Sequence, residues 1–261
     1  MGREPHEVVV RPTRTATWNL VRDGTAVASA YAVCRPDRRW FVSVDGWRVD
    51  DHEPLVHAMI ADLRHDLHTR IDGADPAGLE LWSRFGFAPE RREVEFLFPS
   101  DPARNGLATA LVPAGLILLS AEEVDETTLR ELDDELRADL PGNEGWVNDP
   151  AEFHDRTYDE RFVDPASCLV AVDSRRRRFA GLVRIWSNAE RARLHLVGVG
   201  RDYRRRGLAR ALLASALRPV QERGVAEVMA EADEGNVAGL ALLRALGAVE
   251  TGSSLVLSRP V

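Results

Sequence analysis

The sequence predicts an α+β protein built from two related halves. Short apolar runs typical of strands are separated by stretches with the period of an amphipathic helix. One segment recurs: residues 75–87 align without a gap on residues 236–248, at a constant offset of 161 (236 − 75). Between the halves, two prolines and an Asn-Gly pair in FLFPSDPARNG indicate a break in regular structure.

These features divide the chain into three parts. We expect a truncated first domain over 1–100, a linker over 101–110 and a complete second domain over 111–261. The first domain's predicted elements are strands near 8–10, 19–21, 26–33 and 40–44 and a helix near 54–67. The second domain's predicted elements are strands at 116–120, 168–173, 180–186, 193–199, 225–232 and 254–257 and helices at 121–140, 150–162, 207–223 and after Asn236. The helices at 121–162 have no counterpart in the first half.

The recurring segment has the same local signals in both copies. Asp75 and Asn236 each precede a short helix and can cap its N-terminus. Gly86 and Gly247 follow the two helices at positions suited to a left-handed C-terminal residue. We therefore interpret the segment as a duplicated supersecondary unit.

Composition narrows the class of partner. The net charge of −8 argues against nucleic acid or an anionic membrane. No apolar run has the ~20 residues that a membrane span needs, and the N-terminus has no signal-peptide pattern, so we expect a cytoplasmic protein. The histidines and the two cysteines have no metal-ligand spacing, so no metal is expected. A monomer or a homodimer would both fit.

A strand, a short loop and a helix start lie in succession around residues 197–209. The backbone amides at the loop and first helical turn have no partners within the helix, and the helix dipole adds positive charge there. This arrangement suits a diphosphate, provided that small residues such as Gly207 and Ala209 let it approach. Arg204, Arg205 and Arg206 can add charge-assisted contacts.

The motif Arg204-x-x-Gly207-x-Ala209 resembles the Q/R-x-x-G-x-G/A loop of the GNAT superfamily of N-acyltransferases. Asn236-x-x-Gly239, followed by Leu246-Gly247, resembles that superfamily's second motif. The resemblance implies a mixed, mostly antiparallel sheet whose two central strands splay apart to admit acetyl-CoA. It covers residues 111–261, and a degenerate form covers 8–99. The implied acetyl-CoA contacts are Val197, Gly198, Val199, Arg204, Arg205, Arg206, Gly207, Leu208, Ala209, Asn236 and Leu243.

The corresponding loop of the first half, Trp47-Arg-Val-Asp-Asp-His-Glu-Pro54, is unsuited to a diphosphate. Three carboxylates would repel the phosphates, and the proline removes an amide donor. We therefore expect a single acetyl-CoA site, in the second half.

The candidate base is His195, which simple strand alternation places on the same face as Val197 and Val199. The run resembles the arylalkylamine acetyltransferases, whose strand has a catalytic histidine at this step; a histidine packed in the sheet is the alternative. The superfamily's usual acid, a tyrosine seven residues after the asparagine, is replaced here by Leu243. Tyr158 and Tyr203 are substitute candidates, and unassisted departure of the thiolate is a third possibility.

The acceptor pocket is expected to combine carboxylates with aromatic rings, which would suit a cationic amine. Its candidate residues are Glu144, Trp146, Asn148, Phe153 and Glu231. The sequence favours an N-acetyltransferase for a primary amine of a small molecule, such as an amino sugar or an antibiotic. A non-catalytic acyl-CoA sensor and a protein acetyltransferase are the alternatives. Tandem actinobacterial acyltransferases share the duplicated layout, although the short first half argues against mycothiol synthase among them.

Overall fold

The computed structural model describes residues 6–10, 15–46, 49–158, 163–187 and 191–261. They form two compact units. The first unit comprises Met1–Glu93 together with Ser253–Val261, and the second unit comprises Val94–Gly252. This division differs from the predicted boundaries, because the second part of each half's last strand belongs to the other half's unit.

The first half contains six strands and two helices in the described ranges. They are β1 (His6–Val10), β2 (Thr15–Arg22), β3 (Thr25–Cys34), β4 (Trp40–Gly46), α1 (His52–Leu63), β5 (Leu67–Asp72), α2 (Pro76–Arg84) and β6 (Ala88–Pro99). The helix predicted near 54–67 ends earlier than expected. Arg64 adopts a left-handed conformation with φ 47°, which stops α1, and buried Leu67 already belongs to β5.

The second half follows in the described part of the chain. Its elements are α3 (Pro102–Asn105), β7 (Leu116–Ser120), α4 (Glu126–Ala138), α5 (Pro150–Tyr158), β8 (Val163–Asp173), β9 (Arg178–Ser187), β10 (Ala192–Val199), α6 (Leu208–Glu222), β11 (Glu227–Asp233), α7 (Val237–Ala245) and β12 (Val249–Arg259). The helix predicted from residue 121 begins at 126, because a separate 3₁₀ turn with its own capping box precedes it. The end of the helix predicted over 150–162 lies outside the described residues.

The segment expected to be a linker is packed into the second unit. Asp101 caps the short helix α3 by accepting a hydrogen bond from the amide of Ala103. Asn105 and Leu107 are buried, and the Ser100 hydroxyl donates to the backbone oxygen of Val225 at 2.6 Å. Proline and Asn-Gly signals here mark a capped turn within the unit.

The sheet of the second unit is mixed and mostly antiparallel, as predicted. Strands β7, β8, β9 and β10 pair antiparallel, β11 joins β10 in parallel, and Val94–Pro99 of β6 lies beside β11. Alternate residues of β9 enter two different apolar clusters: Val183 packs with α6 and α7, whereas Leu182 packs with α4 and α5. Both faces of this sheet are therefore covered.

The sheet of the first unit runs from β1 to β5 and ends with Ser253–Arg259 of β12, which pairs antiparallel with β5. Its apolar cluster lies under α1 and α2 on one face. On the other face of β3, Tyr31 and Val33 are exposed. Only four residues separate β1 from β2, so the first half has no room there for counterparts of α4 and α5.

The repeat seen in the sequence coincides with repeated local structure. Strand β5 pairs in parallel with β4 at Leu67 and His68, and β11 pairs with β10 at Val228 and Met229. The offset between these pairs is again 161 (228 − 67 and 229 − 68). The predicted helix caps are confirmed in both halves: the side chains of Asp75 and Asn236 each accept the amide hydrogen three residues later, at 2.9 Å.

Candidate functional site

A wedge-shaped gap separates β10 from β11 in the second unit. The two strands pair only at Ala192 with Val228 and at Arg193 with Met229, whereas β10 continues to Val199 in pairing with β9. Beyond Arg193, the backbone groups on the β11 side of β10 are therefore available to another hydrogen-bonding partner. We call this gap the wedge.

The corresponding strands of the first unit are joined by a side chain. The Thr69 hydroxyl donates to the backbone oxygen of Val42 at 2.9 Å, just beyond the last parallel pair. The residue equivalent to Thr69 in the second unit is Ala230 (69 + 161), which has no hydroxyl group. The first gap is thus bridged by the chain's own hydrogen bond, and the alanine cannot form that bond in the second.

A loop with unpaired amides leads from β10 into α6. Arg205 and Gly207 both have positive φ, at 62° and 83°, and Gly207 is the N-cap without any side-chain cap. Among the described residues, no backbone oxygen accepts a hydrogen bond from the amides of residues 205–210, and the first such bond comes from Ala211 to Gly207. A Cβ built on Gly207 would meet nothing within 4 Å. The predicted anion-binding geometry is present at this loop.

The three loop arginines have different surroundings. Arg204 donates from Nε to the backbone oxygen of Val199 at 3.0 Å and from Nη2 to Asp139 at 2.6 Å. Arg205 and Arg206 are exposed, and the Arg206 guanidinium lies 5.7 Å from the ring centre of Tyr203. Arg204 therefore connects the end of β10 to the end of α4, while the other two extend toward solvent.

Asp139 is a positioning residue that the sequence did not reveal. It binds both Arg204 and Arg201, the latter at 2.5 Å. Hydrogen bonds from Arg201 and then Arg204 lower the pKa of this carboxyl group to about 2. It remains ionised at neutral pH and holds the loop against the C-terminus of α4.

The two tyrosines proposed as acids have other partners. Tyr203 is buried in the core beside α6, and its hydroxyl donates to Asp173 at 3.0 Å. The Tyr158 hydroxyl points to the backbone oxygen of Ala121 at 3.5 Å, and burial raises its pKa. Leu243 is buried in the same core as Tyr203, so it contributes packing at the tyrosine position. Tyr203 thus makes a structural contact through its hydroxyl, and its role as an acid stays a prediction.

His195 does not face the direction that strand alternation predicts. A β-bulge falls between Leu194 and Leu196, so the pairing with β9 shifts by one residue at His195. Val197 and Val199 pack on the α6 side, whereas the His195 ring stacks on Trp186, whose cluster packs with α4 and α5. The expected shared face with the two valines is wrong because the bulge inserts one extra residue.

The ring of His195 is tightly placed. Its centroid lies 3.8 Å from that of Trp186 with an interplanar angle of 18°, and its Nδ1 lies 3.4 Å from Nη2 of Arg137. Farther along β10, Gly198 provides the space for α4, since a Cβ there would lie 2.9 Å from a Leu136 methyl group. Helix α4 and strand β9 therefore set the position of the histidine.

A buried polar cluster lies behind His195. Asp133 accepts hydrogen bonds from Arg137 Nε at 2.6 Å, Arg184 Nη1 at 3.0 Å and Asn148 Nδ2 at 2.9 Å. All four side chains are buried, and together we call them the Asp133 cluster. Charge–charge contacts with Arg137 and Arg184 favour the charged carboxylate and hold its pKa low against the opposing effect of burial. Arg137 lies on the same helix as Asp133, but Arg184 and Asn148 come from other parts of the chain, so the sequence did not reveal the cluster.

The aromatic rings expected to receive a cationic acceptor are already covered by the chain's own cations. The Arg137 guanidinium lies 4.7 Å from the ring centre of Trp146, and that of Arg184 lies 5.2 Å from the ring centre of Phe153. Asn148 belongs to the Asp133 cluster, which gives it a structural role. These rings therefore pack against the chain's own guanidinium groups, and their part in an acceptor pocket stays a prediction.

The two glutamates predicted for the acceptor pocket also have partners. Glu144 accepts the amide hydrogen of Gly142 at 3.0 Å within its own turn. Glu231 pairs with Arg193 at 2.9 Å across the start of the wedge. Neither carboxylate is left without a counterpart.

The electrostatic environment of His195 is positive. Its pKa is held well below the ordinary value of 6.5, first by burial and then by Arg137, Arg184, Arg193 and Arg156. The imidazole is therefore neutral at neutral pH.

Comparison with known proteins agrees with this geometry. The sequence model of the Acetyltransferase (GNAT) family matches residues 129–248, which include the wedge, the loop and the Asp133 cluster. These residues are thus similar to the acetyltransferases of the GNAT family. The family resemblance predicted from the loop motif is confirmed for this part of the chain.

Three relatives are named mycothiol acetyltransferase. The one from Clavibacter sepedonicus is 32% identical over 172 residues, which are 66% of this chain and 55% of that protein. The one from Saccharopolyspora erythraea is 27% identical over 178 residues, covering 67% of this chain and 56% of that protein. The chain thus spans about half the length of the curated relatives that it matches.

Solved structures support the fold. A GCN5-related N-acetyltransferase from Sphaerobacter thermophilus has a TM-score of 0.68 at 22% identity, covering 95% of this chain and 81% of that one. A tandem GNAT protein from the clavulanic acid biosynthesis pathway has a TM-score of 0.69 at 17% identity, covering 96% and 84%. At these identities the likeness shows the GNAT fold and nothing finer.

Two further features of the described residues concern metal ions and membranes. Within the described ranges, no three His, Cys, Asp or Glu side chains are grouped so that they could hold a metal ion. No helix in the same ranges is both long enough and apolar enough to cross a membrane.

Proposed function

We propose that the second unit transfers an acetyl group from acetyl-CoA to a primary amine of a small molecule. The observation that carries this proposal is the wedge between β10 and β11, which leads to the unpaired amides of residues 205–210. A strand edge with available hydrogen-bonding groups suits the pantetheine arm, and the amide-rich helix start suits the diphosphate. Acetyl-CoA supplies the activated acetyl thioester.

In this proposal, four parts of the second unit would contact acetyl-CoA or hold its loop in place. The edge of β10 at Val197–Val199 would pair with the pantetheine arm, and exposed Arg205 and Arg206 would add charge to the phosphate site. Arg204 and Asp139 would hold the loop in place rather than bind phosphate. Asn236 caps α7 with its side-chain oxygen, which leaves its amide nitrogen as the candidate contact to the arm.

The first unit would not bind acetyl-CoA in the same way. Its gap is bridged by Thr69, and Asp51 in its loop is buried and paired with Arg22 at 2.7 Å. Trp47 and Arg48 of that loop lie outside the described residues. We propose one acetyl-CoA site per chain.

The acceptor would react as a neutral amine. The arginines that disfavour a proton on His195 would act in the same direction on an ammonium group placed beside it. The positive charge of these arginines differs from the acidic pocket expected from the sequence. It favours an amine whose remaining part is neutral or carries a carboxylate. The name of the relatives makes mycothiol-type amines candidates, despite the short first half.

Turnover assays would test the proposal. The full chain, acetyl-CoA and a panel of amines (amino sugars, amino acids, mycothiol-type amines and a lysine peptide) would be followed by thiol release. We expect release with at least one small amine. Micromolar CoA binding without release from any amine would instead favour a sensor, the alternative suggested by Leu243 at the acid position. Release with the peptide alone would favour a protein acetyltransferase.

A further inference from the structure

The contacts of His195 assign it a chemical role different from that of a base. We propose that, in the acetyl transfer proposed above, His195 is a neutral hydrogen-bond donor through Nε2, and that Arg137 is the positioning residue that fixes this tautomer. The inference rests on the proposed function for its chemistry, but the tautomer itself follows from contacts within the chain.

Hydrogen-bond complementarity determines which nitrogen carries the proton. A guanidinium group has only donors, so Nη2 of Arg137, 3.4 Å from Nδ1 of His195, requires a lone pair on Nδ1. A neutral imidazole has one hydrogen, which must then be on Nε2. None of the described residues accepts a hydrogen bond from Nε2. The tautomer therefore presents an N–H group that has no acceptor in the part of the chain that the structure describes.

Arg137 is itself held firmly in place. Its Nε donates to the buried carboxylate of Asp133 at 2.6 Å, and its guanidinium lies over the ring of Trp146. Stacking on Trp186 fixes the plane of the His195 ring. The donor and the acceptor of the Arg137–His195 hydrogen bond are both held by packing, so the packing also fixes which ring nitrogen carries the hydrogen.

Arginines on the neighbouring elements oppose protonation of His195, although each is paired with a carboxylate that acts the other way. The pairs are Arg137 and Arg184, on α4 and β9, with Asp133, then Arg193 with Glu231, on β10 and β11, and Arg156 with Glu152 on α5. Protonation would place a cation against Arg137 and remove the lone pair that Arg137 requires. His195 therefore remains neutral at neutral pH, and its available nitrogen already carries a hydrogen.

A neutral N–H donor suits acyl transfer. The neutral amine nitrogen attacks the thioester carbon, the new C–N bond forms, and the C–S bond breaks with its electron pair leaving on sulfur. The proton lost by the amine passes through water to the thiolate, so that amide and free thiol result. Negative charge grows on the carbonyl oxygen during attack, and a hydrogen bond from Nε2 stabilises that charge while His195 keeps its own proton.

Nitrogen-15 NMR of the full chain, labelled at histidine, tests the tautomer without any need for activity. We expect an unprotonated Nδ1 and a protonated Nε2 for His195, unchanged from about pH 6 to about pH 8. In Arg137→Met we expect a mixture of tautomers or a new titration in that range. Arg175→Met, at an exposed turn, is the control and should leave the His195 signals unchanged. A proton on Nδ1, or titration near the ordinary pKa in the unmodified chain, would overturn the proposal.

Kinetics then tests the role. His195→Ala should lower kcat about a hundredfold, the order of magnitude for losing one donor to a developing oxyanion. His195→Gln, which retains an N–H donor, should recover part of that rate. Both variants should keep the pH profile and the KM for acetyl-CoA of the parent. A rate loss confined to one limb of the pH profile would make His195 a base. Absence of turnover with every amine would defeat the proposed function, while the NMR result would still decide the tautomer.

Discussion

Gly207 and Gly224 have nearly the same backbone conformation at opposite ends of α6, with φ of 83° and 81°. A Cβ on either would meet nothing within 4 Å, and valine at either positive-φ position would incur backbone strain on the order of 1–3 kcal/mol. We expect Gly207→Val to abolish CoA binding in calorimetry, because its side chain would occupy the mouth of the loop. Gly224→Val should lose comparable stability and bind CoA normally. Equal CoA affinity in both variants would show that the diphosphate lies elsewhere.

Asp139 offers a test of the loop's electrostatics through pH. Its folded pKa of about 2 lies below the value of about 3.9 for an unfolded aspartate, so the carboxylate adds stability that is present above the higher value. That contribution is lost as the pH falls through the folded pKa. We therefore expect Asp139→Asn to be less stable than the parent in urea at about pH 6, and the difference to shrink as the pH falls toward about 2. A stability difference independent of pH would contradict the ion-pair account.

At the scale of elements, the caps of α2 and α7 form a matched pair. Asp75→Ala and Asn236→Ala each remove one side-chain acceptor from a helix N-terminus, at a cost of about 1 kcal/mol. Only Asn236→Ala should also weaken CoA binding, because Asn236 borders the proposed arm site. Denaturation and calorimetry on the two variants separate these effects. Weakened binding in Asp75→Ala would place part of the site in the first unit.

Most of the elements were predictable from the sequence, because local signals determine them. Apolar periodicity located the strands and helices of the second half, and Asp75 and Asn236 marked two caps. The bulge at His195 was not predictable, since a bulge depends on how two strands pair and leaves no local signature. For the same reason Asp133, whose partners come from α4, β9 and the loop before α5, was missed.

At the scale of the whole molecule, the chain's last strand stabilises the first unit. Leu257 is fully buried in the first unit's cluster, and Leu246 is fully buried in the second unit's. Alanine at either position should cost about 2–5 kcal/mol. We expect Leu257→Ala to speed amide hydrogen exchange in β5 with little change in α6. We expect Leu246→Ala to speed exchange in α6 with little change in β5. Faster exchange in α6 alone for both variants would contradict the observed division into units.

The division into units could not be read from the sequence, although the repeat could. The alignment of residues 75–87 with 236–248 shows that the chain holds two copies of one unit. It does not show in which of the two sheets the last strand of each copy lies. The loop motif specified the anion-binding geometry because that geometry is local to residues 204–211. The contacts of Trp146 and Phe153 with distant arginines could not be predicted, because they depend on tertiary packing.

A crystal structure of the full chain with acetyl-CoA would test the central claim most directly. We predict one acetyl-CoA per chain, with its diphosphate on the amides of residues 205–210 and its pantetheine arm along Val197–Val199 in the wedge. Acetyl-CoA bound instead between β4 and β5, or found away from both gaps, would contradict the account.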